Sequence, residues 1–180
     1  MQLKFAHNMP HVRTIFMTDI DKITKEFYGQ YGLVMHTAQT IENGLHILLA
    51  LWEFSERNIS KIDYLKILAK PMTLGQLKNR MIENEIFDES ASNELTKVNK
   101  IRRFLAHDFW WDRDIIFTDK DQLHSLHLEL MSYLSTFEQL ILIIDFRINL
   151  LRKSKQIYIE QEFGLLTVND IRNFVNNLKE

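Results

Sequence analysis

The sequence predicts an all-α protein, folded as one antiparallel helical bundle with a very long helix. Only five glycines and two prolines occur in 180 residues, which leaves little material for the tight turns of sheets. Apolar residues recur at steps of three and four along most of the chain, while strand-like alternation is confined to short stretches. Hydroxyl residues followed three positions later by an acid or amide mark several helix starts.

The helices are predicted in chain order from these signals. They cover approximately residues 18–28, 31–57, 60–69, 73–83, 91–110, 119–154 and 168–178. The first two can form one continuous helix, and Pro71 ends the third. Thr73 and Gln76 have the spacing of a capping box at the start of the fourth, while Asp88 or Ser90 begins the fifth.

The helix over residues 119–154 is unusually long and apolar. Its predicted core face consists of Leu123, Leu126, Leu130, Leu134, Phe137, Ile141, Ile144 and Ile148. At 1.5 Å per residue, its length is on the order of 50 Å, more than the width of a compact domain of this size. Together with the apolar segment 140–144, this length predicts a homodimer whose interface includes part of the helix and the segment around residues 100–109.

Composition restricts the class of protein. The chain is predicted to be one domain over 1–180, with 155–180 as a C-terminal extension. Its 46% hydrophobic and 26% charged residues are typical of a soluble globular protein. With no cysteine, disulfides, thiolate metal sites and cysteine nucleophiles are excluded. A net charge of −2 argues against a surface that binds nucleic acid throughout, although it permits a local basic patch. We find no signal-peptide core or membrane-spanning run, so we expect a cytoplasmic protein without membrane contact.

The segment from Lys100 to Phe109 is the main candidate for a functional site, because it places Arg102 and His107 five residues apart in a predicted helix. In a straight helix these side chains are about 140° apart. They can therefore meet only if the helix bends or ends near Ala106, or if a second subunit completes the site. Arg103 and His107, four residues apart, share a face. Arg102 also lies on the apolar face and so needs a partner for its charge. That face consists of Leu95, Val98, Ile101, Leu105 and Phe109.

The run Arg102-Arg103-Phe104-Leu105-Ala106-His107, followed by Phe109 and Trp110, resembles the Arg-x4-His signature of HEPN domains. These are small helical proteins, many of them metal-independent ribonucleases of toxin–antitoxin and phage-defence systems. The resemblance covers about residues 31–150 and implies an endoribonuclease that acts on RNA, forms a homodimer and has an antitoxin protein as partner. It implies no cofactor and no metal. The implied site residues are the catalytic Arg102 and His107, with Arg103, Asn99, Lys100, Asp108 and Trp110 as RNA-binding or auxiliary residues.

These residue types suit RNA cleavage. Histidine titrates near neutrality and can transfer the protons, while the planar fork of arginine binds phosphate and keeps its charge. Two positions depart from the family pattern. Arg103 stands where asparagine or another small polar residue is most frequent, and Phe109 stands where one subgroup has a tyrosine that its partner adenylylates. We therefore expect that mode of control to be absent. The alternative is a non-catalytic module in which Arg102 and His107 bind a nucleotide or partner, or stabilise the bundle.

Other spacings are weaker candidates. The pairs His124/His127, near Glu129, and His7/His11 lack the further ligands of a metal site, so no metal is expected at either. Glu42 and His46 are four residues apart on a helix, and we expect them to form a surface pair, with a supporting role for Glu42 in the site as the alternative.

Overall fold

The computed structural model describes residues 19–111 and 119–154, and all the regular secondary structure in these ranges is helical. The elements are α1 (Asp19–Glu56), α2 (Lys61–Ala69), α3 (Leu74–Glu83), α4 (Glu89–Arg103), a π-helix (Phe104–Asp108) and α5 (Lys120–Ser154). The prediction of an all-α fold is confirmed. The first two predicted helices form one helix, α1. The helix predicted over 168–178 and the extension 155–180 lie outside the described residues.

The helix starts follow the capping chemistry of the sequence. The Thr73 hydroxyl accepts from the backbone N–H of Gln76, whose side chain accepts from the Thr73 N–H, which confirms the capping box. At α4 the cap is Asp88, whose carboxylate accepts from the N–H of Ala91. Asp119, which the sequence patterns did not single out, accepts from two backbone N–H groups in the first turn of α5. These acceptors satisfy N–H groups that a helix start leaves without a partner.

Helices α1 and α4 run in opposite directions. The hydroxyl of Tyr31 on α1 donates to the carbonyl of Leu105 immediately after α4, and Glu42, further along α1, contacts Arg102 within α4. Residue numbers therefore rise along α1 while they fall along α4.

Helices α1 and α5 run in the same direction. Gln30 donates to the sulfur of Met131 at 3.0 Å, and a methyl group on Gly44 would lie 3.1 Å from Cγ2 of Ile144. The two helices thus advance together from one contact to the next. The helices α1 and α5 are therefore parallel, and α4, which precedes α5 in the chain, runs opposite to both.

The core lies where the apolar faces of α1, α4 and α5 meet. The predicted core face of α5 is buried except for Ile141, which is partly buried. Leu140 and Ile144 are also inside the core, so the apolar segment 140–144 is largely covered within one subunit. Leu142, between them, is 69% exposed. Within residues 19–111 and 119–154, no helix has the length and apolarity to cross a bilayer.

Candidate functional site

An open cleft of about 470 Å³ lies between the start of α3 and the end of α4. On the α3 side its lining consists of Thr73, Leu74, Gly75, Gln76, Lys78 and Asn79, and on the α4 side of Asn99, Arg102 and Arg103. Three of these side chains carry positive charge, and none of those that the structure describes in the lining is acidic. The cleft also faces the start of α3, and therefore the positive end of a helix dipole, although the N–H groups of Leu74 and Gln76 already donate to Glu42 and Thr73. By charge and by donors, the cleft is suited to an anion.

The buried side of this cleft is organised by Glu42 of α1. Its Oε1 lies 3.4 Å from Nε of Arg102 and accepts from the backbone N–H of Leu74 at 3.3 Å. The side chains of Arg102 and Glu42 are 30% and 13% exposed. The prediction that Arg102 needs a partner is confirmed, and that partner comes from a distant part of the chain. One carboxylate therefore ties α1 to the two helices that form the cleft.

The expected surface pair between Glu42 and His46 is wrong. The Nε2 of His46 is instead 2.7 Å from the carbonyl oxygen of Ile67, in the last turn of α2. Burial lowers the pKa of His46, and the hydrogen bond to Ile67 opposes this effect. The neutral ring with its proton on Nε2 then donates to the carbonyl. His46 therefore joins α1 to α2 and leaves Glu42 available for Arg102.

The helix widens into a π-turn directly after the two arginines. The N–H of Phe109 donates to the carbonyl of Phe104, five residues earlier, at 2.8 Å. The next carbonyl, of Leu105, accepts from the Tyr31 hydroxyl at 2.6 Å. A π-turn has more residues per turn than an α-helix, so each residue rotates by a smaller angle about the helix axis. The angle between Arg102 and His107 is therefore smaller than the separation of about 140° expected for a straight α-helix. The widened turn includes Ala106, where a bend is one of the two ways in which Arg102 and His107 could meet.

The structure brings some of the predicted site residues together and leaves others apart. Asn99, Arg102 and Arg103 all line the cleft. His107 is exposed on the π-turn and is not part of that lining. Within residues 19–111 and 119–154, no hydrogen bond or ion pair joins His107 to either arginine. Lys100 and Asp108 are likewise exposed and lie outside the lining.

Trp110 is mainly a packing residue. Its ring lies nearly parallel to that of Tyr28, with centroids 5.7 Å apart, and packs edge-on against Tyr31 at 5.0 Å. Phe109 is fully buried against Tyr31 and Phe27 in the same cluster. The indole exposed beside the motif is that of Trp111, which is 89% exposed. The aromatic cluster therefore anchors the far end of the π-turn to α1.

Sequence reasoning missed the contribution of α3 to the cleft, in particular Lys78 and Asn79. The capping box at Thr73 was a signal for it, because it marks a helix start whose next turn carries these residues. A methyl group on Gly75 would approach nothing closer than Oδ1 of Asn99, at 3.8 Å. The fold thus has room for a side chain there, although glycine destabilises a helix interior by roughly 1 kcal/mol relative to alanine. The glycine leaves the backbone open to the cleft.

No arrangement for a metal is found in the described part of the chain, where no three histidine or acidic side chains cluster suitably. Glu129, near His127, accepts from the hydroxyl of Tyr133. The pair His7/His11 lies outside the described residues.

Comparisons of the chain with family models, with curated proteins and with solved structures give no match. The fold and site thus define an all-helical protein with a cationic cleft.

Proposed function

We propose that the chain is a HEPN-like, metal-independent endoribonuclease, acting in the cytoplasm as the toxin of a toxin–antitoxin or phage-defence system. The observation that carries this proposal is the convergence of Arg102, Arg103 and Lys78 on the start of α3, directly before a π-turn that bears His107. Such π-turns occur frequently at functional sites. Arginine binds phosphate through parallel hydrogen bonds, and in this proposal the phosphate is a phosphodiester of RNA.

In this proposal the cleft holds the phosphate that reacts. Glu42 fixes Arg102 through one contact, and the guanidinium has five N–H donors, so phosphate can bind without displacing the carboxylate. Arg102 then stabilises the charge of the phosphorane, with Arg103 and Lys78 binding flanking phosphates. Asn99 offers an amide donor at the same wall. Because Gly75 has no side chain, the phosphate can approach the backbone there closely.

His107 performs the proton transfers. Attack of a ribose 2′-hydroxyl on its own phosphate needs a base and an acid for the leaving oxygen, which a histidine can supply near neutral pH. The product is a 2′,3′-cyclic phosphate. Since His107 stands outside the lining of the cleft, it reaches the phosphate either when RNA binds or from the second subunit of a homodimer. An antitoxin protein that covers the cleft would control the activity.

The test combines cleavage and binding of a labelled RNA at low salt. His107→Ala should abolish cleavage and leave binding nearly unchanged, while Arg102→Ala should reduce cleavage by two to three decades, as expected for loss of about 3 to 4 kcal/mol of charge stabilisation. Lys97→Ala is the matched control, since Lys97 is exposed on α4 outside the cleft. Cleavage should persist in a chelator. An unchanged cleavage pattern in His107→Ala would remove the ribonuclease proposal.

A second candidate is a non-catalytic module that binds a nucleotide or another phosphate-bearing ligand. The position of His107 outside the cleft favours it. In this case Arg103→Ala and Lys78→Ala weaken binding, and no cleavage occurs with any variant. The same assay therefore separates the two functions.

A further inference from the structure

Helix α5 carries a second apolar face besides the one in the core. Five large apolar side chains on it are exposed, at fractions of 44–69%: Leu128, Met131, Leu142, Phe146 and Leu150. At 100° per residue they fall within a sector of about 100°, opposite the buried face. Patches of this kind, rimmed by polar residues, mark interaction surfaces. We call these five residues the outer face of α5.

The outer face has a symmetric order along the helix. Leu128 and Met131 lie in its first half, while Leu142, Phe146 and Leu150 lie in its second half. Between the two groups, the exposed Ser135 and Gln139 occupy the same angular sector. The face therefore consists of a polar centre with apolar residues on both sides. Met131 also touches α1, through the hydrogen bond from Gln30 to its sulfur.

We propose that the outer face pairs with the outer face of a second copy of this chain, in antiparallel orientation, with Leu128 opposite Phe146 of the partner subunit. The register that pairs these two residues also places Ser135 opposite Gln139 and Ser132 opposite Leu142. Such a face is self-complementary, as a two-fold interface requires. The polar centres then meet each other, and each apolar group meets the apolar group of the other subunit.

The charges at the ends of α5 favour the same orientation. It begins with Asp119, Lys120 and Asp121, which together carry one negative charge, and its last turn is basic, with Arg152 and Lys153. Antiparallel pairing brings the acidic turn of one subunit next to the basic turn of the other, whereas parallel pairing would place like charges together. The α5 helix of a second copy therefore has the charges and apolar residues that complement the outer face. No residue of the outer face lines the cleft, so this proposal stands independently of the proposed ribonuclease function.

Cysteine crosslinking tests the register, because the chain has no cysteine of its own. The full-length Leu128→Cys and Phe146→Cys variants are purified separately, mixed and oxidised. The mixture should give a disulfide-linked dimer, and each variant alone should not. In the antiparallel register like positions lie about 27 Å apart, far beyond the reach of a disulfide. Crosslinking of Leu128→Cys with itself would overturn the antiparallel register.

Sedimentation of the full chain tests the interface without engineered thiols. Leu142→Glu should raise the dissociation constant at least about 100-fold, because two-fold symmetry introduces the carboxylate twice into an apolar contact. Ile62→Glu, at an exposed apolar residue of α2, should leave it unchanged. Thermal unfolding monitored by circular dichroism should be cooperative for both variants, which shows that each is folded. A wild-type chain that is monomeric at tens of micromolar would overturn the proposal, and a loss of stability in Leu142→Glu would then indicate that another part of the same chain covers the face.

Discussion

Replacing Glu42 with glutamine removes the charge that faces Arg102 and keeps an oxygen that can accept from the Leu74 N–H. The charged atoms are 3.4 Å apart. Coulomb's law gives about 1 kcal/mol for this distance in water and about 5 kcal/mol at an effective dielectric constant near 20. Because Arg102 is 30% exposed, solvent screening reduces the interaction, and we expect a loss of about 1 to 2 kcal/mol in the free energy of unfolding.

The assay is urea unfolding followed by circular dichroism, with Glu42→Gln, Arg102→Gln and the double variant forming a double-mutant cycle. The two single changes should not be additive, and the coupling should be about 1 to 2 kcal/mol. Additive changes, within about 0.3 kcal/mol, would show that the pair does not stabilise the protein and would refute the reasoning.

The same variant should bind RNA more tightly. Removal of the carboxylate beside Arg102 leaves the cleft more positive, so the affinity for phosphate should rise while the stability falls. Glu53→Gln is the matched control, since Glu53 is also buried on α1 and pairs with Arg57. It should lower stability without changing RNA affinity. If only Glu42→Gln lowers the stability and raises the RNA affinity, the gain in affinity comes from the charge of the cleft and not from a general loss of stability.

Three further predictions concern the glycines and His46. Gly75→Ala should stabilise α3 by up to about 1 kcal/mol, because the added methyl group meets no clash in the protein. The same methyl group takes up space in the cleft and should weaken RNA binding; unchanged binding would place the ligand elsewhere. Gly29→Ala, with nothing within 4 Å, should raise the urea midpoint by the equivalent of about 0.5 to 1 kcal/mol, whereas Gly44→Ala should gain less or lose stability because its methyl group would crowd Ile144 at 3.1 Å. Equal gains at the two sites would contradict that packing. Burial lowers the pKa of His46 in the folded state, so its contribution to stability is complete above the unfolded-state pKa of about 6.5 and is lost as the pH falls below it. His46→Gln should flatten the decrease of the urea midpoint between neutral and mildly acidic pH, and an unaltered slope would assign the decrease to other groups.

Local chemistry in the sequence was sufficient for the helices and for the core faces of α4 and α5. The capping box at Thr73 and the cap at Asp88 depend on residues within one turn, and the periodicity of α5 depends on its own spacing. The contact between Glu42 and Arg102 could not be predicted in the same way, because it depends on how α1 packs against α4. For that reason the sequence indicated that Arg102 needed a partner without identifying it.

The π-turn and the α3 wall of the cleft required tertiary information too. Helical periodicity assumes one rotation per residue, so it cannot show where a turn widens. The Leu105 carbonyl accepts from Tyr31, a residue of another helix. The roles of Lys78 and Gly75 follow only once α3 lies beside the end of α4. The parallel packing of α1 and α5 could not be predicted either, because these helices are far apart in the sequence.

The packing of α1 against α5 has a consequence for synthesis on the ribosome. The first and last helices of the described chain form its most extensive helix–helix contact, so much of the apolar side of α1 stays uncovered until α5 has emerged, although α2 and α3 cover other parts of it. Contacts between such distant segments form late in folding. A nascent chain that ends before Lys120 therefore contains every residue of the cleft but lacks the helix against which α1 packs. We therefore expect the cleft to acquire a stable scaffold only after α5 has been synthesised.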